Sequence, residues 1–87
     1  MELRQLRWLV VVVDAGTMRR ASEELHVSQP SISRAVRQLE ADLGVQLLRR
    51  TPSGVHLTEA GAEFLVYART ILAHATAARI AMTRRPG

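Results

Sequence analysis

None of the 87 residues is a cysteine, so neither a disulfide nor a thiolate metal site enters the chemistry. That absence fits a reducing compartment. Lysine is missing as well, and all twelve basic residues are arginine, an asymmetry that a GC-rich coding sequence accounts for in the main. His26, His56 and His74 stand far apart and share no metal-ligand spacing, so no metal site is expected and they read as solvated or packed side chains. No carboxylate pair sits beside a histidine and no glycine-rich phosphate loop is present. The chain is also too short to enclose a pocket, so an enzyme is not expected. The longest strongly apolar run, Trp8 to Val13, falls far short of a bilayer span, and Met1 is followed by Glu2 and Arg4 rather than by a signal peptide. A soluble, cytoplasmic protein with no membrane partner is expected.

What is present begins with length and charge. A chain of this size makes one domain that buries roughly 60 to 65% of its unfolded surface, so its stability is modest without a partner. The net charge is +4. Glu23, Glu24, Glu40, Asp42, Glu59 and Glu63 fall outside the stretches 25–39 and 43–58 that carry Arg34, Arg37, Arg49 and Arg50, which suits a basic surface that meets a polyanion. Arginine offers phosphate or guanine a planar two-pronged donor.

The most informative stretch is SQPSISRAVRQLE, Ser28 to Glu40. Ser28 is a good N-cap, Pro30 falls in the first turn where a missing N–H costs nothing, and Gly44 is a stop signal. Ile32, Val36, Leu39 and Leu43 form one apolar stripe at helical spacing. The other face carries Gln29, Ser33, Arg34, Arg37 and Gln38, with no carboxylate before Glu40. Those are groups that bind base edges and phosphates in a major groove. Taken alone, the helix is equally an ordinary amphipathic one with a solvated face.

The segments before it shift that balance. Residues 2–14 form a first helix with Leu3, Leu6, Val10 and Val13 on one stripe and Trp8 and Val12 beside it, although four consecutive valines suit a strand better. Gly16 ends it and Thr17 caps a second helix over 18–25, with Met18, Ala21 and Leu25 turned inward. The turn into the third helix is only His26, Val27 and Ser28. Two short helices so joined make a helix-turn-helix, which puts Gln29, Pro30, Ser33 and Arg34 at base edges.

After Gly44, two β-prone runs, 46–51 and 55–58, flank Pro52, Ser53 and Gly54 and predict a hairpin. Leu47, Val55 and Leu57 would pin it to the helices while Arg49, Arg50 and His56 stay outside. Such a wing touches DNA beside the recognition helix or merely completes the core. Thr58 then caps a long helix running to about Arg84, with Pro86 and Gly87 closing it. Phe64, Ala68, Ile71, Ala75, Ala78 and Met82 are spaced as a heptad seam, and Leu65 and Leu72 form a second stripe that can reach the first helix. A helix with such small seam residues needs cover along its length. A homodimer through antiparallel or crossed copies supplies it, against the competing reading of a helix folded back on its own domain. The expected architecture is mainly α: a winged helix-turn-helix of three helices and a two-stranded wing over 1–58, then a long dimerisation helix over 59–87.

In this order of elements, and in LRWLVVVVDAGTMRRASEELHVSQPSISRAVRQLEADLGVQLLRRTPSGVHLTEAG, Leu3 to Gly61, the chain resembles the N-terminal DNA-binding region of LysR-type transcriptional regulators. The blocks SQPSISR, LEADLGVQL and LTEAG carry the resemblance. It implies base contacts from Gln29, Pro30, Ser33 and Arg34. It implies backbone contacts from Arg20, Ser28, Ser31, Arg37 and Arg50, and a wing that bears Arg49 and Ser53. Leu48 stands where the family commonly has Phe, Ser53 where a basic residue is frequent, and Met18 where an aromatic is common. The family usually carries a C-terminal domain that binds a small-molecule effector, so no cofactor is expected in these residues. The chain is expected to be either a fragment cut at the interdomain hinge, as the RRPG ending suggests, or a short relative. The function expected is sequence-specific binding of double-stranded DNA at inverted-repeat promoter sites as a dimer. The alternatives are a non-specific architectural DNA-binding protein, against which Gln29 and Ser33 argue, and a winged-helix protein-interaction module.

Overall fold

The computed structural model describes residues 1–86 and orders six elements along the chain. They are α1 (Leu3–Ala15), α2 (Met18–Leu25), α3 (Gln29–Leu43), β1 (Leu48–Thr51), β2 (Gly54–Leu57) and α4 (Glu59–Thr83). Local chemistry sets most of these boundaries. At the start of α1 the Glu2 N–H donates to Gln5 Oε1 at 3.0 Å, and the Thr17, Ser28 and Thr58 hydroxyls accept from the backbone N–H groups of Arg20, Ser31 and Gly61. Gly16 and Gly44 close α1 and α3 in the left-handed region, and His26 closes α2 there at φ 57° without being a glycine. At the end of α4 the cap is Arg84 in a right-handed conformation, Pro86 lies beyond it, and the expected closing Gly87 lies outside the described residues.

The core is the three-helix junction plus the base of the wing. Leu6, Leu9 and Val12 of α1, Ala21 of α2, Ile32, Val36 and Leu39 of α3, Leu47, Leu48 and Ala68 form one buried cluster. Met18 and Leu25 pack against it beside Ala21, the inward face expected for α2. On α1 the expected stripe is rotated: Gln5, Leu6, Leu9 and Val12 are buried, Val10 and Val13 are half-buried, and Leu3 is 44% exposed. A run apolar on nearly every side leaves the buried face to the neighbours rather than to periodicity. Leu43, expected on the α3 stripe, is exposed because the core ends at Leu39, while Ala35 is buried.

The wing is an antiparallel hairpin in which Leu48 pairs with Leu57, Arg49 with His56, Arg50 with Val55 and Thr51 with Gly54. Its tip is docked. The Val55 N–H donates to the Gly16 carbonyl at 2.9 Å, and a Cβ on Gly54, whose φ is +133°, would lie 2.6 Å from that same oxygen. Only glycine lets the two turns meet there.

α4 requires a correction to the expected seam. Ala68 is fully buried and Phe64 and Ile71 pack against the same core, so these three cover their own domain and do not form a free seam. Leu72 joins them, as its stripe predicted, and Leu65 is half-buried. Ala75 is half-buried, and only Ala78 and Met82 of the expected set are exposed. The helix-on-own-domain reading therefore holds for the first half of α4, because α1 presents a face long enough to cover it. Close approach is possible because residue 61 is glycine: a Cβ there would run into the Leu47 carbonyl oxygen.

Candidate nucleic-acid interface

Burying Ile32, Ala35, Val36 and Leu39 against α1 and α2 turns the opposite side of α3 outward. Gln29, Pro30, Arg34, Arg37, Gln38 and Ala41 are exposed there and Ser33 is half-buried. Pro30, Ser33, Arg34, Arg37, Gln38 and Ala41 border one open, shallow groove along the helix. The Ser28 hydroxyl is engaged in the cap, accepting from Ser31 N at 3.2 Å and lying 2.8 Å from Ser31 Oγ. Both serines thus order the helix start, whatever else they touch.

A second groove brings three elements together. Thr17, Met18 and Arg19 from the start of α2, Gln29 from the start of α3, and Arg50 through Val55 from the wing line it. Arg50 is therefore on the side of the wing that looks toward the recognition helix. Arg49, one residue earlier on a strand, is on the other side, across from His56. The two adjacent arginines, expected together outside the wing, serve opposite faces. Ser53 is exposed at the tip and bonded to Thr51 and His56.

Three arginines are held in ion pairs. Arg19 pairs with Glu23 at 3.1 Å, Arg4 with Glu2 at 3.9 Å, and Arg69 with Asp14 at 2.7 Å. The Arg69–Asp14 pair is two-pronged and ties α4 to the end of α1. Hydrogen bonds donated to Asp14, helped by the Asp14 charge, raise the Arg69 pKa above its ordinary value. Asp42 meets the N-terminal amine at 2.8 Å. Among the described residues, Arg20, Arg34, Arg37, Arg49 and Arg50 have no carboxylate partner, a state they share with Arg7, Arg79, Arg84 and Arg85 away from this face. The first five are exposed. An exposed guanidinium without a counter-ion is free to meet a phosphate or a guanine edge.

One residue that matters to the site has no signal in local sequence. Glu40, half-buried near the end of α3, accepts from Leu47 N at 2.7 Å and Leu48 N at 3.1 Å through one carboxylate oxygen. It fastens the base of the wing to the recognition helix. Thr58 closes the two ends of the wing on each other, donating its hydroxyl to the Gln46 carbonyl at 2.6 Å. Among the described residues no group of acidic, histidine or cysteine side chains could hold a metal ion, and no helix is long and apolar enough to cross a membrane.

Comparison with known proteins bears on this geometry. Residues 3–62 match the family model described as "Bacterial regulatory helix-turn-helix protein, lysR family". The HTH-type transcriptional regulator TcbR of Pseudomonas sp. (strain P51) is 54% identical over 72 residues, which is 83% of this chain and 24% of the relative. The chain thus spans about a quarter of the length of the curated relatives it matches. Among solved structures, the DNA-binding domain of CbnR in complex with DNA matches with a TM-score of 0.84 at 48% identity, covering 98% of this chain and 100% of that one. The DNA-binding domain of BenM with benA site 1 DNA matches with a TM-score of 0.86 at 39% identity, covering 98% of each. The chain belongs to the LysR family of bacterial regulatory helix-turn-helix proteins, as the DNA-binding domain of a regulator of that type.

Proposed function

We propose that this domain reads a specific double-stranded DNA site as one half of a homodimer, with α3 in the major groove. Gln29, Pro30, Ser33 and Arg34 address base edges. Arg37, Arg20, Ser28, Ser31 and Arg50 hold the backbone. The observation that carries this reading is the uncovered face of α3, where two arginines without counter-ions stand beside an amide and a hydroxyl. Arg50 and Gln29 line one further groove, so a duplex seated on α3 also lies within reach of the wing.

The dimer reading moves to a different stripe of α4 from the one expected. Val66, Thr70, Ala73, Ala77 and Ile80 recur at spacings of four, three, four and three and are all exposed, Val66 at 66%. Small residues in the middle of that stripe suit the close approach of a second helix, and its apolar ends gain from cover. Two copies related by a two-fold axis would present two α3 helices to an interrupted inverted repeat. In this reading the domain is not an enzyme and holds no cofactor. A small-molecule effector would act through a C-terminal domain, and the protein works in the cytoplasm on nucleoid DNA.

Selection of bound duplexes from a random pool tests the reading. An interrupted palindrome is the expected product. Recovery of an asymmetric site would contradict the dimer, and no enrichment at all would contradict specific recognition.

A further inference from the structure

The tip of the wing hangs on the turn that ends α1. Val55 N–H donates to the Gly16 carbonyl at 2.9 Å, and Gly54 packs against the same oxygen. Gly16 is the left-handed cap of α1 and directly precedes Thr17, the cap of α2, so one residue joins both helices to the wing. Arg50 pairs with Val55 across the hairpin. The position of the Gly16 carbonyl therefore sets how Arg50 stands beside the start of α3.

The last turn of α1 carries a charge of the unfavourable sign. The carbonyl end of a helix favours cations, yet this turn has no basic residue and bears Asp14, two residues before Gly16. Its counter-charge comes from another element. Arg69 of α4 donates from Nη2 to Asp14 Oδ1 at 2.7 Å and from Nη1 to Oδ2 at 3.4 Å, a two-pronged bond between residues 55 apart in sequence. Arg69 directly follows Ala68, which is fully buried, so its stem starts from a fixed point on α4. Both side chains are about half exposed, and such a pair adds little to the stability of the whole domain. Its effect is local: it offsets the misplaced charge and braces the turn whose carbonyl holds the wing.

We propose that Arg69 and Asp14 are positioning residues for DNA binding, which hold the wing tip, and Arg50 with it, in place through Gly16. The proposal rests on the DNA-binding reading and on the Arg50 backbone contact within it. Neither residue has to touch DNA. Without Arg69 the Asp14 carboxylate stands unpaired at the carbonyl end of α1, the last turn loosens, and the bond between Gly16 and Val55 opens more often. Removing the Asp14 charge as well relieves that repulsion, so the double variant is milder than the single one.

Amide exchange of the 87-residue chain followed by NMR without DNA, and fluorescence anisotropy with random-sequence duplex, test this at one pH and one ionic strength. Arg69→Met keeps the apolar stem and removes the charge. It is expected to speed exchange at Val55 N–H about three- to tenfold, well beyond any change at Leu39 N–H within α3, and to weaken duplex binding about two- to fivefold. Asp14→Asn combined with Arg69→Met should recover most of both effects. In an Arg50→Ala background, Arg69→Met should cost almost no further affinity, because the contact it positions is already gone. A change at Val55 no larger than at Leu39, or the same loss of affinity with and without Arg50, would overturn the proposal and leave the DNA-binding reading intact. Absence of duplex binding by the wild type even at low salt would overturn both.

Discussion

Glu40→Ala removes the single oxygen on which both Leu47 N–H and Leu48 N–H are satisfied. Hydrogen bonds to a charged acceptor contribute about 1.5 to 3 kcal/mol each when buried. Glu40 is only half-buried, so water recovers part of the loss, and a net cost of about 2 kcal/mol is the working figure. For a domain of this size that lowers Tm by about 8 to 16 °C. Glu40→Gln keeps a carbonyl oxygen that can accept both N–H groups and loses only the charge, so its cost is about 1 kcal/mol or less. The order wild type, Gln, Ala should also hold for DNA affinity, because the anchored segment leads directly into β1 and Arg49 and Arg50. Thermal melts at one fixed protein concentration, with anisotropy titrations beside them, provide the readout. Melting of Glu40→Ala within about 2 °C of wild type would refute the anchor, since no cost near 2 kcal/mol fits so small a shift.

Gly61→Ala gains helix propensity, yet its Cβ meets the Leu47 carbonyl, which is backbone and cannot swing away, so a net loss of about 1 to 3 kcal/mol is expected in a thermal melt. Ala73→Glu puts a like charge opposite itself in the proposed dimer and should raise the dimer dissociation constant by about tenfold or more, read by sedimentation; unchanged self-association would exclude the Val66–Ile80 stripe. Arg50→Ala should weaken binding to all duplexes alike and make the salt slope shallower by about one. An unchanged slope removes Arg50 from the backbone contacts.

Elements that announce themselves through adjacent residues were legible in the sequence. Thr17 and Ser28 cap α2 and α3, Gly16 and Gly44 end α1 and α3, and the Pro52–Gly54 turn sets the hairpin, so those boundaries follow from local chemistry. Faces were less legible. In α1, apolar residues surround the helix, and Leu9 rather than Val10 is buried because α2 and α3 approach from that side. In α4, two stripes share the same heptad spacing, and which of them meets α1 depends on the path of the wing and on the notch at Gly61. Spacing has no means of expressing that choice. The grip of Glu40 on Leu47 and Leu48, the docking of Gly54 on Gly16, and the division of Arg49 from Arg50 across the wing are all contacts between segments distant in sequence or a matter of strand register. The exposed α3 face was legible because a capped amphipathic helix fixes both of its sides once one is buried.

The central claim is that α3 reads bases, and Arg34→Ala tests it most directly. Affinities of wild type and variant are compared on the duplex selected from a random pool and on random-sequence DNA at the same salt. The account predicts a loss of about 1 to 3 kcal/mol on the selected site with little change on random DNA. Equal weakening on both would contradict it, since Arg34 would then be holding only phosphate.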